Sequence, residues 1–303
     1  MGAFILDDLK TELQKDNPVT KIILFNVTVF LLISLLRILA FLSGESSTVV
    51  YLFDKVIENI ALPVTINFFV YKPWTLISYM FVHIDLFHIF WNMITLYWFG
   101  TILKEYTSNS KIFPVYFFGG IMGAIITIII FNTILSADQH MNQATLIGAS
   151  AGVTAIIIAA TTLLPNHMIN LLFIGSVKLK YIALLIIFID ILDITSYYNM
   201  GGNFAHLGGA LFGFIYIKQY KKGNDLSIGL NKLIGNIKSM MKFSRKSKMK
   251  VAYRHPVSDY DYNTNKIAKQ KKIDEILDKI SKSGYESLTK EEKNFLFKTS
   301  KEN

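Results

Sequence analysis

The chain has no cysteine, which excludes disulfides, thiolate metal sites and thiol-based catalysis. Charge is scarce too. Only 17% of the 303 residues are Asp, Glu, Lys or Arg, against about a quarter in a soluble domain. With 52% hydrophobic residues and a mean hydropathy of +0.39, this deficit and the long apolar runs indicate a polytopic membrane protein that is all-α. No DNA- or RNA-reading motif occurs. The formal net charge of +9 lies mostly beyond Lys218, a distribution suited to a cytoplasmic tail beside anionic lipid rather than to nucleic acid. The first apolar run is too long for a signal-peptide core and has no small-residue cleavage site, so it reads as a retained span.

Six spans are predicted, at residues 22–42, 86–103, 112–135, 148–164, 181–197 and 204–220. Together they form a helical bundle over 21–220, after an N-terminal segment 1–20. A basic linker with an amphipathic stretch follows over 221–272, then a small soluble helical appendage over 273–303. Within the appendage, 273–280 reads as a short helix and Thr289 with Glu292 as a capping box. The long connection 43–85 contains an amphipathic helix around residues 51–60 at the interface, with Trp74 and Tyr79 in the headgroup layer. Arg37 interrupts the first span, either snorkelling or facing protein. Lys104, Lys111, Lys178 and Lys180 crowd the second and fourth connections and the tail is basic, so both termini are expected on the cytoplasmic side.

In that orientation the second, fourth and sixth spans enter from outside, and each has polar groups near its start: His83, His88 and Asn92; Ser150; and His206. The chemistry of a covalent hydrolase needs these parts. A serine hydroxyl requires a base, histidine titrates in the right range, and the oxyanion needs donors. Ser150 is the candidate nucleophile and His206 the base. His88 and Asn92, four apart on one helix face, and the Ser150 backbone N–H are candidate oxyanion donors. Small residues (Gly148, Ala149, Ala151, Gly152; Gly208, Gly209, Gly213) permit two helices to approach closely enough for the serine and histidine to meet.

Other readings use the same residues. A Gly-x-Ser-x-Gly in a membrane helix is more often packing, and here it lacks the strand that a soluble hydrolase elbow needs. The histidines also suit a proton relay, a small transporter that would use Asp190 as well, or a zinc site from His83, His88 and His206. Zinc would leave Ser150 unused, no His-Glu-x-x-His occurs, and no internal repeat is visible. Asp190 and Asp193 lie in the fifth span. Helix–helix hydrogen bonding is the preferred reading for both, and the depth of a span running outward puts only Asp193 near His206. His140, His167 and His255 fall in loops or tail and are assigned no role.

His83-x4-His88-x3-Asn92, Gly148-x-Ser150 and Ala205-His206-x2-Gly209-x3-Gly213, with Pro73-Trp74-Thr75 upstream, resemble the rhomboid family of intramembrane serine proteases. The resemblance covers residues 17–220, and the tail from Ile273 is similar to that of rhomboids from one bacterial lineage. It implies a dyad of Ser150 and His206 without an acid. Asn92 and His88 would stand on the oxyanion side, and His83 beside them as a structural histidine. It also implies a lateral gate at the fifth span, a cap loop over 198–203, and no cofactor. Partners would be the lipid bilayer and substrates carrying a transmembrane helix, with no nucleic acid. The implied setting is a bacterial plasma membrane. Two positions depart from the pattern: Thr154 stands where many members stack an aromatic on the histidine, and Ala151 where many have glycine. A non-proteolytic rhomboid-like protein that holds single-span clients is the alternative function.

Overall fold

The computed structural model describes residues 17–44, 47–135, 144–171, 175–196, 199–229, 232 and 259–300. Most of the segment 1–20, nearly all of the amphipathic stretch 230–243, His140, Tyr198 of the cap loop and His255 lie outside them. Two compact units are present, residues 1–242 and 243–303.

The first unit is mostly helical. Asn17 caps α1 (Pro18–Leu42), its side chain accepting from the Val19 N–H at 3.2 Å, with proline pre-set at the first helical position. Arg37 faces protein at its guanidinium end, which donates to the Ile84 carbonyl at 3.1 Å. The expected amphipathic helix is α2 (Thr48–Ile60), capped by Ser47. Lys72 pairs with Glu58 at 2.9 Å, and the Trp74 indole donates to the Asn59 carbonyl at 2.8 Å. β1 (Leu62–Pro63), the single turns α3 (Ile66–Phe69) and α4 (Thr75–Ser78), and a 3₁₀ turn (Tyr79–Phe81) complete the connection. Tyr79 does not offer its ring to an outer surface: it is buried and its hydroxyl donates to the Gly120 carbonyl at 2.7 Å. The sequence reading weighed its amphipathic ring but had no view of this long-range partner.

Next come α5 (Leu86–Tyr106), α6 (Asn109–Thr133), β2 (Thr145–Leu146), α7 (Ser150–Leu163), a hairpin of β3 (Met168–Leu171) and β4 (Gly175–Lys178), α8 (Leu179–Asp193) with a 3₁₀ turn (Ile194–Ser196), and α9 (Met200–Lys221). Among the described residues, α1, α5 and α6 are long and apolar enough to cross a membrane, and α7 is a shorter apolar helix. Two boundaries matter below. α8 ends at Asp193 rather than 197, and α9 begins at Met200 rather than 204. The cap loop that the resemblance implies over 198–203 is largely helix: residues 200–203 open α9, with Gly201 and Gly202 packed against Leu146 and Asn199.

α7 is apolar all round and sits at the centre, as such a helix must. It is enclosed by α5, α6, α8 and α9, and its closest partner is α9. The approach depends on glycine. A Cβ on Gly209 would lie 2.0 Å from the Ala151 carbonyl oxygen, and one on Gly213 2.2 Å from that of Ala155. On the α6 side, Gly123 meets the Ala205 carbonyl and Gly119 the Ala155 methyl at similarly forbidden distances.

The second unit comprises α10 (Asp259–Ser283), a 3₁₀ turn (Tyr285–Ser287) and α11 (Lys290–Ser300). α10 is far longer than the expected 273–280, because its first half carries helix-compatible polar residues without apolar periodicity. The capping box forms: the Thr289 N–H donates to Glu292 at 2.7 Å and the Glu292 N–H to the Thr289 hydroxyl at 3.3 Å. Lys279 adds an ion pair to Glu292 at 3.0 Å.

Gly209→Ala is expected to lower the unfolding free energy in mild detergent by about 3 kcal/mol, since backbone cannot yield to the new methyl. Gly229→Ala, at a helical glycine with open space around it, is the control and should not destabilise, alanine being favoured there by up to about 1 kcal/mol.

Candidate active site

The turn leading into α7 is fixed from three sides. β1 and β2 pair antiparallel, Leu62 opposite Leu146, and the Val64 N–H donates to the Ala144 carbonyl at 3.1 Å. The Gly148 N–H donates to the Tyr79 carbonyl at 2.9 Å. The Ala149 N–H donates to His83 Nε2 at 3.3 Å. Gly148 has φ +116°, and a Cβ there would come within 2.7 Å of the His88 ring. Only glycine serves both the left-handed backbone and the close imidazole.

His83 is fully buried and lies edge-on to His88, with ring centroids 5.0 Å apart. Burial, aided by the neighbouring His88, pushes its pKa down to about 4. It is therefore a neutral imidazole whose Nε2 accepts. Asp85 caps α5, accepting from the His88 N–H at 2.8 Å. Asn92, one turn on, donates one amide hydrogen to the His88 carbonyl at 2.9 Å. Its second hydrogen has no protein partner among the described residues.

Ser150 is the first residue of α7, and His206 lies in the second turn of α9. They line one open cavity of about 460 Å³ together with His88, Asn92, Thr154 and, from α8, Ile186. No direct hydrogen bond joins Ser150 to His206 among the described residues. His83 stands behind this cavity, on the turn, rather than in its lining. His167 lies elsewhere, edge-on to Tyr106. No group of three metal-binding side chains occurs among the described residues.

Asp190, not Asp193, meets His206. His206 Nδ1 is 2.8 Å from Asp190 Oδ1, while Asp193 accepts from Asn203 Nδ2 at 3.1 Å. The depth argument for Asp193 failed through the helix ends. α9 starts at Met200 and the 3₁₀ turn carries the helical chain after α8 on to Ser196, so His206 lies six residues after the one end and Asp190 six residues before the other.

A family model, the Rhomboid domain, matches residues 71–222, the stretch that carries every residue of this cavity. The chain belongs to the rhomboid family. It is an integral membrane protein of that class. A second model, a family of unknown function (DUF6576), matches residues 258–302. RHOMBOID-like protein 12, mitochondrial, of Arabidopsis thaliana is 31% identical over 158 residues, covering 49% of this chain and 47% of that protein. The chain thus spans about half the length of this relative.

The low His83 pKa has a measurable consequence. The unfolded imidazole titrates at its ordinary 6.5 and the folded one at about 4. The contribution of neutral His83 is complete above pH 6.5 and lost as pH falls towards 4. The stability advantage of wild type over His83→Gln should therefore narrow between pH 7 and pH 4 in thermal unfolding; a constant gap would contradict a buried neutral imidazole.

Proposed function

We propose that the protein is an intramembrane serine endopeptidase acting on transmembrane-segment substrates near the outer membrane face. The observation that carries this reading is the shared cavity, in which a serine at a helix start and an imidazole open onto the same space as two side chains with polar donors. Family membership supports it.

In the proposed reaction Ser150 Oγ attacks the scissile carbonyl while its proton passes to His206 Nε2. The carbonyl oxygen becomes an oxyanion within reach of the free Asn92 amide hydrogen, of His88 and of the Ser150 N–H, which points from the first turn of α7 with no intrahelical partner. His206 then returns the proton to the leaving amine as the C–N bond breaks. Water, activated by the same imidazole, hydrolyses the acyl-enzyme. No cofactor takes part. The cavity's openness supplies the water that a site within lipid otherwise lacks.

The bundle is read as six spans, α1 and α5 to α9. Only about 21 Å long, α7 is shorter than the hydrocarbon layer. Its enclosure by other helices lets its ends meet protein and the polar cavity instead of lipid. The lysine distribution favours both termini on the cytoplasmic side. The Pro73-Trp74-Thr75 resemblance favours a bacterial plasma membrane; the mitochondrial designation is that of the relative.

A fluorophosphonate probe tests the chemistry. Wild type should label, and Ser150→Ala and His206→Ala should lose labelling by at least about 10²-fold. Equal labelling of all three proteins would reject the reading. Retained client binding without cleavage, in co-expression with tagged single-span proteins, would instead favour a non-proteolytic role.

A further inference from the structure

We infer that Asp190 is a positioning residue that fixes the tautomer and orientation of His206. The inference rests on the hydrolytic reading for its purpose, and on the geometry alone for its existence.

The Asp190 carboxylate is 8% exposed and sits on α8, a helix whose Leu184, Leu185, Phe188, Ile189, Ile191 and Leu192 all point outward. A carboxylate among such neighbours is costly unless it has a task. Among the described residues its hydrogen-bonding partner is His206 alone, at 2.8 Å, and its second oxygen, Oδ2, is buried without any. It is therefore not part of a wider helix–helix network.

A carboxylate is acceptor-only, so the 2.8 Å contact requires the proton of a neutral His206 to sit on Nδ1. Nε2 then keeps its lone pair for the Ser150 proton. When that proton arrives, the imidazolium forms beside a negative charge. The titratable side chains that share the cavity with His206 are Asp85, which caps α5, and His88 in its first turn; Asp190 meets His206 from α8, and the polar side chains that α7 lends the cavity are Ser150 and Thr154. No aromatic ring packs on His206 among the described residues, and Thr154, one turn beyond Ser150, is too short to hold the imidazole by stacking. The acid on α8 supplies the restraint that a ring on α7 would otherwise give.

The test is made on the full-length protein in detergent micelles with ¹⁵N-labelled histidine, the His206 signal being identified by its loss in His206→Ala. Wild type should show protonated Nδ1 and bare Nε2. In Asp190→Asn an amide N–H can donate to Nδ1, so the Nε2-protonated form should appear; Asp190→Glu should retain the wild-type tautomer. With the fluorophosphonate probe, Asp190→Asn and Asp190→Ala should lower the maximal inactivation rate, by up to the roughly 10⁴-fold that loss of the acid costs in a soluble triad. The half-saturating probe concentration should stay within about twofold, because Asp190 does not line the cavity. Asp190→Glu should recover much of the rate. A wild-type His206 protonated on Nε2, or a spectrum and rate unmoved in Asp190→Asn, would overturn the inference. Should wild type prove unreactive to the probe while the tautomer still follows residue 190, the hydrolytic reading fails and the positioning contact stands.

Discussion

The bundle is organised by the contact of α7 with α9, where two backbones meet with almost nothing between them. Gly209 lies on the Ala151 carbonyl and Gly213 on that of Ala155. Within a bilayer, lipid tails are as apolar as leucine, so helices associate by close van der Waals fit rather than by escape from water. Small residues maximise that fit, and they bring Ser150 and His206 to one cavity. α6 closes on the same pair through Gly119 and Gly123, which makes the centre a three-helix contact built from residues without bulk.

Three histidines within a few ångströms of the cavity have separate tasks because their surroundings differ. His83 is dry, neutral and tied to the turn before Ser150. His88 is in the cavity wall, beneath a glycine that cannot carry a side chain. His206 has a carboxylate behind it. The same ring thus stands as strut, wall and candidate base according to what surrounds it.

Much of this was legible in sequence, because the signals are local. Apolar runs marked the helices, the four-residue spacing put His88 and Asn92 on one face, and glycines beside the serine and the histidine announced close packing. The miss at Asp190 came from helix ends: α9 starts at Met200 rather than 204, which shifts the depth of His206. Tyr79 was misplaced for another reason: its partner, the Gly120 carbonyl, is 41 residues away and leaves no local trace. The long first half of α10 went unseen because a polar helix has no hydrophobic period to detect.

The cavity draws on chain that is distant in order of synthesis. Its walls come from α5, α7, α8 and α9, and the turn under Ser150 is held by residues 62 to 83. No stretch emerging before residue 206 contains both the hydroxyl and the imidazole. Under the proposed hydrolytic reading, a ribosome-bound chain inserting helix by helix is inert towards its own freshly inserted segments, and towards neighbours in the translocon, until α9 has docked.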